Sequence, residues 1–511
     1  MEEVQLPIDV LDDDIVNHGK IDKIKWVEEK QSYRSERKIK KIAAIARREE
    51  RLSNHRPPKN CFVGKHKWLG GAVDPETGTI YGVPSNTIEV ICIHPPDVEQ
   101  NDEPAKTATI STIPLPNKFK EGCFKWLRGI ITNGFLYGIP AWSTNGVLKV
   151  RLTKKGKGPR VKLLPLPKTP TAPEKPNRNH NEVRRDLWMW HGAGLSQSSK
   201  SSAIYCIPSN HEKVLKIDVL TDTLSEIGPA FTEGQNKWYG GIRGRDGCIY
   251  GVPYTASGVL RIDPSLDDVQ VLGNFPRGGW KWHGGLMAPS NGVIYAFPAH
   301  SNRVLCIDTN KHPPNQNQDQ NDQQWRISTI PIHKHSLDKD PDTLRYKWLG
   351  GAYGADGCIY GMPSDASSIL RIDPNYSSNE ARATTFGDVT IKSKDTKNSE
   401  VTDLNMNKWQ GGVLSPKDGC VYAVPANANC VLKIDTNPNT PLDIQFLECQ
   451  WDGNSSSSTT TQNDSIDRKN INDKWQGGFL GKDGVIYGIP ECIDRVMALY
   501  PGKHAQVRFI S

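Results

Sequence analysis

The sequence predicts an all-β protein that folds as a single β-propeller, with eight four-stranded blades and a charged N-terminal arm. Three observations predict this fold class. The phrase KWLGGAVDPETGTIYGVP, which begins at Lys67, returns in eight recognisable copies. Each copy consists of short β-rich runs separated by turn residues, which is typical of strands. Four such runs fit into each copy, and radial repetition of four-stranded sheets is the architecture of a propeller.

Three residue types mark the same positions in every copy. A tryptophan opens the copy, a tyrosine follows it, and a proline comes three residues after the tyrosine. The tryptophans are Trp68, Trp126, Trp190, Trp238, Trp282, Trp348, Trp409 and Trp475. The tyrosines are Tyr81, Tyr137, Tyr205, Tyr250, Tyr295, Tyr360, Tyr422 and Tyr487. The prolines are Pro84, Pro140, Pro208, Pro253, Pro298, Pro363, Pro425 and Pro490. This register predicts a first strand at Trp-x-Gly-Gly and a second strand at Ile-Tyr-Gly-x-Pro.

The remaining strands follow from turns and alternation. Pairs such as Asp246-Gly247 favour the tight hairpin between the first two strands, because such turns need positive φ. In the third strand, as in Val259 to Asp263, apolar and polar residues alternate. The fourth strand is the least regular and precedes the next tryptophan, as in Val269 to Gly273. The last copy ends in its own fourth strand, from Ala505 to Ile510, so the ring is predicted to close without a strand from the N-terminus.

Seven blades are the alternative count if one divergent copy packs outside the ring. The second and third copies are the candidates, because Arg128 and Ala193 interrupt their glycine pairs. In the other copies the paired glycines suit an innermost strand, where backbones approach closely.

The repeated tryptophans have two interpretations. Packing between adjacent blades would bury about 150–250 Å² of each ring, which is the structural interpretation that we favour. The alternative is a multivalent glycan-binding propeller with equivalent ligand sites, served by the loop after each proline. Those loops include Ser85-Asn86, Ser209-Asn210, Ser364-Asp365 and Ala426-Asn427.

A single functional site would be expected where the copies differ. The residue after each tryptophan varies, being Leu69, Leu127, His191, Tyr239, His283, Leu349, Gln410 and Gln476. His191 and His283 are weak candidates for a metal or acid–base role, and Arg128 is a candidate anion contact. The predicted binding residues are therefore Arg128, His191, Tyr239, His283, Gln410 and Gln476. No catalytic residue beyond the two histidines and no metal ligand is assigned.

The N-terminal arm, residues 1–60, lies outside the repeat and is predicted to be partly helical. Its segment from Arg34 to Arg51 has eight basic and three acidic residues. Such a segment suits nucleic acid, an anionic surface or nuclear import, or it is simply a solvated arm. The propeller, residues 61–511, carries polar insertions near 153–186, 310–324 and 452–473 that are predicted to be disordered.

Composition narrows the class of protein. Of 511 residues, 36% are hydrophobic, the net charge is +7, and no run of about 18 apolar residues or signal-like N-terminus occurs. Cys248, Cys358 and Cys420 share one repeat position that holds Val293 in another copy, so they behave as small core hydrophobes. We therefore expect reduced thiols, a cytoplasmic or nuclear protein, no transmembrane segment, and no cofactor.

The phrase Gly-x-Ile-Tyr-Gly-x-Pro followed by Val-Leu-x-Ile-Asp-Pro resembles NHL-repeat and gluconolactonase or regucalcin-like propellers. Over about residues 65–511 it resembles more closely an uncharacterised family of Trp-Gly-Gly repeat propellers of protist and algal type. The resemblance implies the propeller fold. For the lactonase-like group it also implies a divalent metal at the channel mouth, held by Glu, Asn and Asp, although the innermost segments here carry glycine and apolar residues at those places.

The sequence thus favours a non-enzymatic scaffold that binds a protein, or another ligand, through its loop faces. The alternatives are a lactonase-like, metal-dependent hydrolase with one site at the channel mouth, and the multivalent glycan-binding propeller. Whether the protein is an enzyme stays open, with the balance against it.

Overall fold

The computed structural model confirms the predicted all-β fold class. It describes residues 64–97, 107–119, 122–142, 146–152, 158–167, 188–197, 202–232, 234–310, 327–336, 338, 340–377, 380–391, 406–449, 468 and 471–510. All of them belong to the unit Asn60–Ser511. The N-terminal arm, with its basic segment, and most residues of the three insertions lie outside the described residues. Among the helices that are described, none has the length and apolar character needed to cross a membrane.

Within the described residues, thirty-two strands form eight units of four consecutive strands. Blade 1 has β1 (Trp68–Val73), β2 (Ile80–Pro84), β3 (Glu89–His94) and β4 (Thr109–Pro114), followed by a 3-10 helix at Asn117–Phe119. Blade 2 has β5 (Trp126–Thr132), β6 (Phe135–Pro140), β7 (Val147–Arg151) and β8 (Arg160–Leu164). Blade 3 has β9 (Trp190–Gln197), β10 (Ser202–Pro208), β11 (Val214–Asp218) and β12 (Leu224–Ile227). Blade 4 has β13 (Trp238–Arg243), β14 (Ile249–Pro253), β15 (Val259–Asp263) and β16 (Asp268–Leu272).

The other four blades repeat this order. Blade 5 has β17 (Trp282–Met287), β18 (Val293–Pro298), β19 (Arg303–Asp308) and β20 (Ile327–His333). Blade 6 has β21 (Trp348–Tyr353), β22 (Ile359–Pro363), β23 (Ile369–Ser377) and β24 (Glu380–Phe386). Blade 7 has β25 (Trp409–Leu414), β26 (Cys420–Pro425), β27 (Cys430–Asp435) and β28 (Asp443–Glu448). Blade 8 has β29 (Trp475–Leu480), β30 (Ile486–Pro490), β31 (Val496–Tyr500) and β32 (Gln506–Ile510).

Within each blade, neighbouring strands pair antiparallel in chain order. Six blades are separate four-stranded sheets, whereas blades 5 and 6 join into one eight-stranded sheet. The junction is a short parallel pairing of their fourth strands, β20 and β24, through Ile332 with Ala383 and His333 with Thr384.

The ring closes with eight blades, so the seven-bladed alternative is wrong. At every junction the backbone N–H before the opening tryptophan donates to a carbonyl just after the preceding blade's conserved proline, at 2.7–3.2 Å. The closing junction follows the same rule, because Lys67 N donates to the Glu491 carbonyl at 3.0 Å. The copies that contain Arg128 and Ala193 take regular places between their neighbours.

The core is distributed over the spaces between blades. Trp126, for example, packs with Tyr81 and Val83 of blade 1 and with Leu148 of its own blade. All eight repeat tryptophans are buried. Each indole N–H also donates to a carbonyl at or just before the start of the third strand, at 2.7–3.0 Å. Each tryptophan therefore ties the first strand to the third while its ring fills an inter-blade space.

The innermost strands approach so closely that glycine is required at one position in particular. A Cβ on Gly192 would lie 1.8 Å from the Gly240 carbonyl oxygen of the next blade, and its φ is +96°. Both the space and the dihedral exclude any other residue there.

A lysine before seven of the eight tryptophans supports the ring in a way that sequence analysis did not anticipate. The Lys67 ammonium donates to the carbonyls of Glu491 and Ile493 at 2.9 and 2.8 Å, and Lys408 donates to Ala366 at 2.8 Å. These lysines are buried and saturate carbonyls in the loop of the preceding blade. The repeated Lys-Trp pair therefore stabilises the blade junctions.

Candidate functional site at the channel mouth

Four predicted binding residues meet in the centre of the ring. Arg128, His191, Tyr239 and His283 lie on the innermost strands β5, β9, β13 and β17 of four successive blades. The ring centroids of His191 and Tyr239 are 3.8 Å apart, those of Tyr239 and His283 4.8 Å, and those of the two histidines 6.2 Å. We call these four residues the channel cluster. They lie near the mouth face, which is the end of the ring where each first strand begins and each second strand ends.

The other residues that follow a repeat tryptophan do not join the channel cluster. Leu69 and Leu127 are buried in a small apolar cluster with Ala141. Gln410 donates through Nε2 to the Asn407 side chain at 2.5 Å. Gln476 is half-buried on β29, on the far side of the ring.

Arg128 has a strained backbone. Its φ is +62°, and it occupies the repeat position at which Gly70 has a φ of +82°. A left-handed conformation costs a non-glycine residue about 1–2 kcal/mol. Backbone strain of this kind is concentrated at functional sites, because a residue that costs stability is kept there for its role in function.

The Arg128 side chain is accessible from the channel although protein surrounds it. Burial within the ring lowers the pKa of its guanidinium, and Tyr239 partly offsets this effect. No carboxylate of the described residues is among the groups that act on its charge. The channel therefore presents a cation that no acidic side chain of the described ring neutralises.

The two histidines of the channel cluster are neutral near pH 7. Burial, followed by the charge of Arg128, holds the pKa of His191 well below its usual range and lowers that of His283 to about 4. The Nδ1 atoms of both rings are buried without a hydrogen-bond partner among the described residues. A ligand reaches these atoms only after the rings turn, because neither Nδ1 is exposed. Burial also raises the pKa of Tyr239, so its phenol stays protonated.

Aromatic rings flank the channel cluster on both sides. One group, His66, Phe124, Trp142 and Trp188, is linked by centroid distances of 4.6–5.7 Å. The other, Tyr254, Trp280, His300 and Tyr346, is linked by distances of 4.7–5.8 Å. We call these eight residues the aromatic arc.

The aromatic arc joins the channel cluster at two points. Trp188 lies 6.1 Å from His191, and Tyr254 lies 4.4 Å from Tyr239, between ring centroids. The arc residues are half-buried except for Tyr254, which is buried. The mouth face therefore has a continuous band of rings from blade 1 to blade 6.

Five members of the arc have left-handed backbones. His66, Phe124, Trp188, Trp280 and Tyr346 have φ of +50° to +53° and stand two residues before a repeat tryptophan. Blades 4, 7 and 8 have Asn236, Asn407 and Asp473 at that position, again with positive φ. Asparagine and aspartate tolerate this conformation, whereas bulky aromatic residues rarely adopt it. Comparison of this position between copies would have singled out these five residues from sequence alone.

The loops after the conserved prolines connect blades. Asn86 Oδ1 accepts a hydrogen bond from Phe124 N at 2.7 Å, and Asn210 Oδ1 accepts one from Asn236 N at 2.7 Å. Asp365 and Asn427 accept the corresponding bonds in later blades. Ser85, Ser209 and Ser364 are fully buried. The asparagine and aspartate side chains of these loops hold the neighbouring left-handed residues in place, so they are engaged between the blades.

A divalent metal of the lactonase type finds no ligand set in the channel cluster. Among the described residues, only His66, Glu491 and Cys492 bring three potential ligand atoms of His, Cys, Asp or Glu within 4.8 Å of one another. This group lies between blades 8 and 1, and it is not the Glu, Asn and Asp set that the family resemblance implies.

Comparison with known proteins identifies no family for this chain. No family model matches the chain, and no curated protein matches it by sequence. A catalytically inactive virginiamycin B lyase from Staphylococcus aureus with quinupristin is 14% identical, with a TM-score of 0.43 over 72% of this chain and 94% of that one.

Two other solved structures are similar at the same level. A putative 6-phosphogluconolactonase from Bacteroides uniformis is 13% identical, with a TM-score of 0.36 over 62% of this chain and 80% of that one. AztD from Citrobacter koseri is 9% identical, with a TM-score of 0.41 over 75% and 86% of the two chains. All are β-propeller-type folds, and the similarity concerns the fold alone.

Proposed function

We propose that this protein is a binding propeller whose channel mouth takes one ligand, or one segment of a partner protein, that carries an anionic group beside an aromatic or apolar body. The observation that carries this proposal is Arg128. It is a strained guanidinium in the centre of the ring, between two neutral histidines and without a carboxylate among the described groups that act on it.

Arg128 supports an anionic group in the ligand. A partly dehydrated cation gains from a bound anion, because charge-assisted hydrogen bonds are about twice as strong as neutral ones. The planar guanidinium suits a carboxylate or phosphate in particular. The neutral rings of His191 and His283 add hydrogen bonds without adding charge.

The aromatic arc supports a flat or apolar body next to the anion. Tyr254 and Trp280 stack with their centroids 5.2 Å apart and an interplanar angle of 23°. Tyr254 supports the half-buried Trp280 from below, and half-buried aromatic surfaces contribute strongly to the energetics of binding sites. Because the arc continues over several blades, it also suits an extended segment of a partner protein.

A hydrolase is the second candidate function. It rests on His191 and His283, which are neutral bases beside a guanidinium that would stabilise a developing anion. Turnover of a lactone or ester by the purified protein, lost in both His191→Gln and His283→Gln, supports this candidate. Absence of turnover with and without added divalent metals leaves binding as the function.

The binding proposal is tested with a matched pair of probes. Calorimetric titration with 2-naphthoate is expected to show one site per chain, and uncharged 2-naphthamide should bind at least tenfold more weakly. Arg128→Gly should remove that difference. Gln476→Leu is the matched control, because three other blades carry leucine after the tryptophan. Equal affinity for both probes, several equivalent sites, or no binding of 2-naphthoate contradicts the proposal.

Capture of partner proteins by the intact chain extends the test. If the ligand is a segment of a protein, Arg128→Gly should lose partners that Gln476→Leu keeps. A second capture without residues 1–60 asks whether the basic arm recruits nucleic acid or protein. That role of the arm, and a cytoplasmic or nuclear location, stay predictions.

A further inference from the structure

The junction where the ring closes carries three departures from the repeat. His66 occupies the left-handed position that is Asn236 and Asn407 in two other blades. Glu491 follows its proline where six blades have serine or alanine, and Cys492 occupies the next position, which is asparagine in three blades. The three departures meet in space, although His66 and Glu491 are 425 positions apart in the chain.

The potential ligand atoms of this group converge. His66 Nδ1 lies 2.5 Å from Glu491 Oε1 and 4.0 Å from Cys492 Sγ. The side chains of His66 and Glu491 are 24% and 7% exposed, and Cys492 is half-buried. Around a tetrahedral zinc ion with ligands at about 2.0–2.3 Å, ligand atoms stand roughly 3.3–3.7 Å apart. The His66–Glu491 and His66–Cys492 distances lie on either side of that spacing, and all three atoms lie within 4.8 Å of one another.

The backbone beneath the three side chains is held rigidly. The Glu491 carbonyl accepts hydrogen bonds from both the N–H and the ammonium of Lys67, at 3.0 and 2.9 Å. Glu491 N and Cys492 N donate to the carbonyls of Lys474 and Asp473, each at 2.9 Å. Because the backbone is fixed, metal binding has to order only the three side chains.

We propose that His66, Glu491 and Cys492 form a binding site for a zinc-class divalent cation at the closing junction. One imidazole nitrogen, one carboxylate oxygen and one sulfur make a donor set that suits zinc, whereas magnesium and calcium take oxygen ligands. Three protein ligands leave a fourth position for water or an exogenous ligand, as in zinc sites that act on a ligand. The site borders the aromatic arc, because His66 also contacts Phe124 at 5.3 Å between centroids.

The competing explanation is an ion pair that closes the ring. Four other junctions, however, hold the left-handed residue with an asparagine or aspartate, as Asn86 does for Phe124. At the closing junction His66 N donates instead to Cys492 Sγ, at 3.4 Å. A thiol sulfur is a weak acceptor for such a bond. A pair of His66 and Glu491 does not require a thiol, so the contribution of Cys492 separates the two explanations.

The repeat supplies substitutions that remove a ligand and keep the fold. His66→Asn introduces the residue of blades 4 and 7, which tolerates positive φ. Cys492→Asn restores the stronger acceptor used at other junctions, and Glu491→Ser restores the small residue after the proline. Cys430→Ser is the control, because Cys430 is a half-buried free thiol on β27, away from the junction.

The test is cobalt titration of the full-length, chelator-treated protein, followed by absorption spectroscopy and then by zinc competition. We expect about one equivalent of Co²⁺ with a thiolate-to-cobalt charge-transfer band, displaced by zinc. Cys492→Asn should abolish the band, His66→Asn and Glu491→Ser should weaken binding at least tenfold, and Cys430→Ser should change neither.

Absence of the band in the wild-type protein overturns the proposal, as does a band that survives Cys492→Asn. Unchanged affinity in both His66→Asn and Glu491→Ser overturns the three-ligand site. Thermal unfolding of each variant verifies that it is folded. The cobalt titration contains no channel ligand, and Arg128→Gly should keep the band. Failure of the metal-site proposal is therefore distinguishable from failure of the proposed binding function.

Discussion

Replacement of Arg128 by glycine separates function from stability at the channel mouth. The backbone at Arg128 has a φ of +62°, which glycine adopts freely. Relief of the strain stabilises the fold by about 1–2 kcal/mol, and the greater freedom of glycine in the unfolded chain costs about 0.5–1 kcal/mol. The net effect is a small stabilisation, of about 0–1.5 kcal/mol.

In a chain of this size such a change raises Tm by no more than about 2 °C. The affinity for an anionic ligand should move in the opposite direction. A hydrogen bond to a charged group contributes about 1.5–3 kcal/mol, which corresponds to a loss of roughly tenfold to a hundredfold. Differential scanning calorimetry and titration with 2-naphthoate measure the two effects on the same preparation.

Two results refute the reasoning. A variant that loses more than about 1 kcal/mol of stability shows that Arg128 supports the ring, because the argument from strain requires the opposite sign. A variant that binds 2-naphthoate as tightly as the wild-type protein shows that the guanidinium does not contact the anion. Arg128→Lys, which keeps the charge and the strained backbone, should retain part of the affinity without the gain in stability.

Three further predictions test the architecture. Because the pKa of His283 is lowered from 6.5 to about 4, the stability linked to it is complete above about pH 6.5 and falls as the pH drops towards 4. As the pH falls through that range, Tm should decline less steeply in His283→Gln than in the wild-type protein. Equal slopes in the two proteins would contradict a buried, neutral imidazole. Asn86→Ala leaves Phe124 N without its acceptor and should cost about 1–2 kcal/mol in denaturant unfolding, whereas Asn86→Asp, the blade 6 residue, should cost less. Trp475→Phe removes the hydrogen bond to the Arg495 carbonyl and opens a cavity, for about 2–4 kcal/mol; a loss below 1 kcal/mol would show that the indole is dispensable.

Comparison of the copies pointed to the residues of the candidate site, but it did not show which of the unusual residues lie together. The sequence singled out Arg128, His191, Tyr239 and His283 as departures from the repeat, together with Gln410 and Gln476. The structure brings only the first four together, since they belong to adjacent blades. Gln410 contacts Asn407 instead.

The aromatic arc was missed because its members stand in three repeat positions, namely two residues before the tryptophan and one or two residues after the proline. Trp188 precedes its repeat tryptophan by two residues, whereas Tyr254 follows its proline directly. The antiparallel pairing of the first two strands brings these positions to the same face, as Trp238 pairs with Pro253. Reading each position by itself does not reveal that proximity.

The sequence by itself determined the all-β class and the order of four strands in each copy, because hairpin pairing is local and every copy carries its own turns and strands. It left seven or eight blades open, and ring closure decided for eight. Only the tertiary structure decided which unusual residues meet. Ring closure places His66 of blade 1 against Glu491 and Cys492 of blade 8, and it turns Arg128 and His283 towards a common channel. Those contacts depend on the curvature accumulated over the whole ring, which no single repeat encodes.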